Sequence, residues 1–230
     1  MSTQTSVIII IALVTQPTVA VDAADQSKSV KPSSTRGYHH SFSHAEHWAK
    51  VFDDPARDVW QKPDQVISSL KLQHTDKIAD IGAGTGYFSV RLAKVVPEGD
   101  VYAADTETDM VKYLHQLAKG KALANLIPIN AKPNDPKLPQ KVNLVLIVDT
   151  FHHIDSRVEY LKHLKRYLLP ESRLIVIDFN QSSKIGPPPH HRLPKENVIQ
   201  ELNLAGYSLV EDLDFLPNQY FLIFRATTKS

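Results

Sequence analysis

Ile78-Ala79-Asp80-Ile81-Gly82-Ala83-Gly84-Thr85-Gly86-Tyr87 is the stretch that decides the fold. Apolar residues run into an acid, and three glycines at every second position then lead into a segment with helical spacing. A ligand approaches a backbone closely only where side chains are absent, and glycine also takes the left-handed conformations such a turn needs. The spacing separates two kinds of cofactor. A dinucleotide turn carries G-x-G-x-x-G after its first strand. Here the third glycine, Gly86, comes one residue early and Tyr87 follows it, which disfavours a nicotinamide-dependent oxidoreductase.

Working outward, strand and helix signals alternate. Lys77 to Ile81 reads as a strand, and Tyr87 to Val95 as a helix with Phe88, Leu92 and Val95 on one face. Strand Val101 to Asp105 is followed by a helix from about Thr108 to Lys119 that stops at Gly120. Ile127 to Asn130 is a short strand. Val142 to Asp149 is almost continuously apolar, as a central parallel strand buried on both faces should be. Asp155 is placed to cap a helix carrying Val158, Leu161, Leu164 and Leu168 and ending at Pro170. Strand Arg173 to Phe179, a Pro/His-rich loop, and a helix from Pro194 to Ala205 ending at Gly206 come next. Ser208 to Leu216 and Gln219 to Arg225 read as strands joined by Pro217-Asn218, too short a link for a parallel crossover, so they form an antiparallel pair. On the amino-terminal side, Ala45, Trp48, Val51 and Phe52 recur at helical spacing, and a second helix opens at Asp64 with Val66, Ile67 and Leu70 inward.

A strand ending in Asp80, the Gly82-Gly84-Gly86 turn, Asp105 closing the next strand, and a final antiparallel hairpin together resemble the class I S-adenosylmethionine-dependent methyltransferases. The likeness spans roughly Trp48 to Arg225 and is nearest to the small, UbiE-like and methyltransferase-domain 11/25 type, in which an Asp-x-x-His-His-Ile element such as Asp149 to Ile154 follows the fourth strand. It implies an α/β, Rossmann-like, seven-stranded and mostly parallel sheet with an antiparallel C-terminal strand and helices on both faces. It also implies S-adenosyl-L-methionine as cofactor and methyl transfer as activity.

The resemblance assigns residues to the parts of that cofactor. Gly82, Ala83, Gly84, Gly86 and Tyr87 would pass under its methionine portion and ribose, with Asp80 accepting from its ammonium. Asp105 would accept from the ribose hydroxyls, as the acid after the second strand does in related folds. Thr106 and Met110 would flank the adenine. A contact to its exocyclic amine falls between Asn130 and Asp135, with Asp135 the acid available. Asp149 and Thr150 would stand at the methionine end, at the mouth of the substrate site.

Methyl transfer is an in-line displacement at a carbon already activated by the sulfonium, so the protein aligns the nucleophile and removes any proton it carries. His152 and His153 are candidate bases because imidazole titrates near neutrality, with capping or packing as the alternative role. Lys184 to Pro194, stiffened by three prolines, leaves a strand's carboxyl end and is expected to cover the pocket, presenting His190, His191 and Arg192; His191 joins the candidate bases. Tyr220 is a further candidate to reach the pocket. His40, His44 and His47 share a helical face, but without a fixed carboxylate or cysteine nearby no metal site is expected there. That segment, with Trp60 and Gln61, reads instead as a helical lid.

Composition narrows the partners. With 42% hydrophobic and 22% charged residues the chain is ordinary for a globular domain, and a formal charge of +1 without a basic stripe disfavours nucleic acid. No cysteine is present, which excludes disulfides and a thiolate nucleophile. A small-molecule acceptor is therefore expected. Val7 to Val14 is an apolar run shorter than the roughly 20 residues a bilayer span needs, so no stable membrane span is expected in a mature chain. The run fits the apolar region of a secretory signal over residues 1–23, with Thr18-Val19-Ala20 or Val21-Asp22-Ala23 as cleavage sites, although no Lys or Arg precedes it. An uncleaved tether, a misassigned start or a disordered tail are the alternatives. Residues 24–43 read as a linker and 44–230 as the domain. Export would put the site in a compartment poor in S-adenosylmethionine, so a catalytically silent, exported binding protein is the competing reading.

Overall fold

A computed structural model describes residues 44–227. The expected signal segment, the linker and His40 lie outside the described residues. Among those described, the order is α1 (Ala45–Phe52), α2 (Ala56–Gln61), α3 (Pro63–Ser69), β1 (Lys77–Ile81), α4 (Ser89–Val95), β2 (Asp100–Asp105), α5 (Thr108–Gly120), β3 (Leu126–Asn130) and β4 (Val142–Val148). It continues with α6 (Arg157–Leu164), β5 (Leu168–Phe179), α7 (Lys195–Leu204), β6 (Tyr207–Leu213) and β7 (Gln219–Ala226). No helix among the described residues is long and apolar enough to cross a membrane.

The seven strands form one sheet in the order β3-β2-β1-β4-β5-β7-β6. The first five are parallel, and β7 enters antiparallel between β5 and β6. β1 and β4 are neighbours although the chain first travels outward through β2 and β3. The order thus reverses between them, and a crevice opens at their carboxyl ends, where ligands bind in open α/β sheets. Asp80, Asp105, Asp149 and Asp178 all stand at or just past those ends.

Alternation along the strands feeds two cores. In β4, Val145 and Ile147 join Tyr160, Leu161 and Leu164 of α6 and Val198 and Leu202 of α7. Leu144, Leu146 and Val148 point the other way, toward Val66, Leu92 and Leu114 of α3, α4 and α5. Both faces of the central strand are thereby covered, which is why its sequence from Leu144 to Val148 is continuously apolar.

Several boundaries differ from the sequence expectation. The helix expected to run to Leu168 stops at Leu164, a 3-10 turn follows over Lys165–Tyr167, and Leu168 and Pro170 belong to β5. Leu168 still packs in the same core as Leu161 and Leu164, so the spacing that suggested a longer helix is a packing signal. Its cap is Ser156, in the left-handed region, rather than Asp155. Pro63 opens α3, with Asp64 inside the first turn. Gly120 is the last residue of α5, and the left-handed exit falls at Ala122. β6 ends at Leu213, short of Leu216; its middle is exposed and its ladder shifts register between Leu209 and Glu211, as suits an edge strand.

The loop after β5 is held by one side chain. Arg192 is buried, and its guanidinium donates to the carbonyls of Pro187, Asn180, Gln181, Ser183 and Ile185. Five loop carbonyls that cannot reach a strand or helix partner are satisfied from one centre. Arg192→Met is expected to lower stability by about 2–4 kcal/mol in urea denaturation and to open residues 180–193 to limited proteolysis. An unchanged cleavage pattern would show that the loop does not depend on this staple.

Candidate functional site

The glycine turn sits between β1 and β4. Gly82, Gly84 and Gly86 have φ of 71°, 55° and 89°. A Cβ at Gly82 would lie 2.3 Å from Thr150 Cγ2, so the turn and the end of β4 are packed backbone against side chain. A Cβ at Gly84 would meet nothing nearer than Phe52, at 3.8 Å, because this residue faces open space. That space is a cleft of about 730 Å³, within the range of pockets that hold cofactor-sized molecules.

Its floor is acidic. Asp80 is buried and accepts from Ser89 Oγ at 2.5 Å. Burial pushes its pKa up to about 6, with the Asp105 carboxylate adding to the rise against the Ser89 bond. Asp105 closes β2, its Oδ2 accepting from Gly84 N–H at 2.8 Å and its Oδ1 from Glu107 N–H at 2.9 Å. Burial raises its pKa too, and those backbone bonds counter the rise. Two carboxylates facing one apolar-walled cleft call for a ligand that brings positive charge and hydroxyl donors.

The amino-terminal helices close one side. Trp48 and Phe52 of α1 stack 5.3 Å apart and line the cleft. Thr85 Oγ1 donates to Asp53, and the Tyr87 hydroxyl donates to Asp58, tying the segment to the turn. The Tyr87 ring lies between two guanidiniums, Arg57 at 4.0 Å and Arg91 at 4.1 Å. From α2, Arg57 reaches Asp149 at 3.3 Å. Gln61 donates to Gln219, and Gln219 donates to Asp149. Asp149 itself has a left-handed φ of 53°, which turns its carboxyl back into this network. Burial pushes its pKa up to about 7, against the pull of Arg57 and with the Asp178 charge adding to the rise.

The 3-10 turn Phe151–His153 follows Asp149. His152 is buried with Nδ1 at 2.9 and 2.8 Å from the two oxygens of Asp178, and both His152 and His153 line the cleft. Burial alone would lower the His152 pKa; Asp178 outweighs it and the value is raised.

A methyltransferase-domain family model matches residues 72–210, more than half of the chain. The chain belongs to the class I S-adenosylmethionine-dependent methyltransferase family. Among solved structures, a SAM-dependent methyltransferase from Aquifex aeolicus is 26% identical with a TM-score of 0.72, over 78% of this chain and 97% of that one. A demethylmenaquinone methyltransferase of Geobacillus sp. (strain WCH70) is 24% identical over 54% of this chain and 53% of its own length. An uncharacterized methyltransferase of Oceanobacillus iheyensis is 24% identical over 74% of this chain and 78% of its own. The chain thus spans about half the length of the demethylmenaquinone methyltransferase it matches.

Most residues that the methyltransferase resemblance singled out do converge. Asp80, Gly82, Ala83, Gly84 and Tyr87 line the cleft from one strand end and its turn. Asp105, Thr106 and Met110 line it from the next, and Asp149 and Thr150 from β4. Gly86 does not; its place is against α5, where a Cβ would lie 2.8 Å from Leu114. Asp135 is a correction. It is no part of the lining, and its carboxylate accepts from Lys137 N–H and the Tyr167 hydroxyl at 2.9 and 2.8 Å, with His163 at 3.2 Å. Ala131, Lys132 and Pro133 line that corner instead. His191 is a second correction: the loop touches the cleft through Ile185, Gly186 and Pro187, while His191 packs against the His190 ring at a 48° tilt outside the lining. Tyr220 is buried beside β5 but does not line the cleft. The histidine face including His44 and His47 has no group of three metal-ligating side chains among the described residues.

Sequence reasoning missed Arg57, Gln219 and Asp178. Asp178 was legible in part, as an acid near the end of a predicted apolar strand. Arg57 and Gln219 reach the site through folding alone.

The raised carboxyl of Asp149 has a sign that can be checked. A folded-state pKa of about 7 against 3.8 means the folded protein holds this proton longer than the unfolded chain, so its contribution to stability falls as pH rises between those values. Asp149→Asn is expected to remove a decline of roughly 4 kcal/mol from the urea-denaturation pH profile over that window. An unaltered slope would place the titration elsewhere.

Proposed function

We propose that this chain is an S-adenosylmethionine-dependent methyltransferase acting on a small-molecule acceptor. The observation that carries the reading is the pairing of buried Asp80 and Asp105 on either side of a glycine turn whose Gly84 faces open cleft. A dinucleotide offers no ammonium to Asp80, whereas an amino acid joined to a nucleoside satisfies both acids at once. Asp80 would hold the ammonium and Asp105 the ribose hydroxyls, with Thr106 and Met110 beside the adenine.

When bound, the cofactor supplies an activated methyl group. The chain's own residues then orient and exclude water. Trp48 and Phe52 shield one side, and the Arg57–Asp149–Gln219 network fixes the floor near the acceptor end. Alignment of this kind, rather than covalent chemistry, is what the protein contributes to a displacement at carbon.

The amino-terminal apolar run supports export of the chain by a signal over residues 1–23. Amino-terminal sequencing of native protein tests this, and an intact Met1 would rule out cleavage.

Calorimetry with S-adenosylmethionine and S-adenosylhomocysteine tests the cofactor assignment. Asp105→Ala is expected to weaken both by about 10- to 100-fold, the loss of one or two charge-assisted hydrogen bonds. Because Asp105 also holds the Gly84 and Glu107 amides, circular dichroism must show the variant folded. Unchanged affinity would refute the ribose role, and no binding by the intact protein at millimolar cofactor would refute the function.

A further inference from the structure

We propose that His152, held at Nδ1 by Asp178, is the general base that takes the proton of the methyl acceptor, and that the acceptor is an apolar molecule bearing a hydroxyl or amine still protonated at neutral pH. The inference rests on the methyl-transfer reading above and extends it to the acceptor.

The geometry has three parts. Asp178 stands near the end of β5 with its carboxylate 2% exposed. One of its oxygens accepts from the Phe179 amide at 2.8 Å and the other from the His152 amide at 3.2 Å, so the carboxylate is fixed by backbone. A carboxylate only accepts, so the neutral imidazole it faces must carry its hydrogen on Nδ1. That leaves the lone pair on Nε2, the nitrogen on the far side of a ring that lines the cleft. An oriented base with its orienter buried behind it is the arrangement proton abstraction requires.

The charged groups around the ring agree with this role. Asp178 of β5 and Asp149 after β4 favour the protonated imidazole, and Arg157 of α6 opposes it. His153 packs against the ring at 4.1 Å, and His191 of the loop lies within electrostatic range. Two carboxylates against one guanidinium favour the imidazolium that forms when the proton arrives.

The cleft that His152 lines also carries apolar side chains. Trp60 lies 5.8 Å from Phe179, the residue after Asp178, and Ile154, Tyr160, Ile185 and Pro187 belong to the same lining. An acceptor with an apolar body has partners in that lining, with its reactive heteroatom turned toward His152. A nucleophile already ionised, such as a carboxylate, or one without a proton, such as a thioether, would need no base. In the reaction the acceptor's oxygen or nitrogen forms a bond to the methyl carbon as its proton passes to Nε2. The carbon–sulfur bond breaks with its electron pair left on sulfur. The imidazolium returns the proton to water after product leaves.

The test uses labelled S-adenosylmethionine with phenols graded from weakly to strongly acidic and with benzylamines, which are protonated at neutral pH, alongside a small-molecule extract of the host as a source of natural acceptors. His152→Gln is expected to lose about 10²- to 10⁴-fold in kcat on weakly acidic acceptors, to lose little on phenols already ionised, and to keep cofactor affinity. Equal rates for His152→Gln and the wild type on a weakly acidic acceptor would overturn the proposal. Label on phenols but not benzylamines would assign the acceptor as a hydroxyl, and the reverse as an amine. A second readout needs no acceptor: nitrogen NMR of the wild-type imidazole should show Nδ1–H and a titration above the usual histidine range that falls in Asp178→Asn. An Nε2–H tautomer would overturn the dyad even if methyl transfer stands. Cofactor binding with no labelled product from any source would overturn the methyl-transfer reading and this one with it, whereas product made at full rate without His152 overturns only the base.

Discussion

At Gly82 the chain passes so close to Thr150 that no side chain fits between them, and the rest of the site depends on that approach. It fixes the end of β1 against the end of β4, the two strands between which the sheet changes direction. With that distance set, the turn bends away in left-handed conformations and leaves Gly84 open to the cleft. Asp105 then ties down the same turn by accepting the Gly84 amide. A larger residue at 82 would separate the strands that carry Asp80 and Asp149, so packing and binding share one constraint.

The second organising feature is unbalanced burial of charge. Asp80, Asp105 and Asp149 are all driven toward their protonated forms by removal from water. Arg57 offsets part of this at Asp149, where it also docks α2 over the cleft. Such an arrangement costs stability without ligand, and strained electrostatics of this kind concentrates where a protein binds or reacts. A cationic ligand relieves it. Closure of the helices and recognition of charge are therefore linked through Arg57 and the Tyr87 ring beneath it.

Much of this was legible in the sequence because it rests on local pattern. Asp80, the glycine turn and Asp105 lie within strands and turns whose alternation and spacing fix their direction. The almost continuous apolar run of β4 announced a strand covered on both faces. What escaped depends on long-range geometry. Asp135 follows a strand end as an adenine-binding acid would, yet its partners His163 and Tyr167 come from α6 and the 3-10 turn after it, and they turn it away from the cleft. Arg192 is charged and sits in a Pro/His-rich loop, so it read as presented to the pocket; five backbone carbonyls make it the loop's interior. Leu168 keeps helical spacing with Leu164 while belonging to a strand, because one core accepts both. Asp178 acquires meaning only when β5 pairs with β4 and brings it under His152.

The central claim is that the acidic cleft is built for a cationic amino-acid nucleoside, and the proton balance of binding tests it most directly. Binding enthalpy of S-adenosylmethionine would be measured in buffers of differing ionisation enthalpy at pH values around 6, where Asp80 titrates in the free protein. An ammonium placed beside Asp80 stabilises its ionised form, so binding should release protons below that pH and cease to do so well above it. Binding with no proton release, or release unaltered in Asp80→Asn, would contradict the assignment of Asp80 to the cofactor's ammonium.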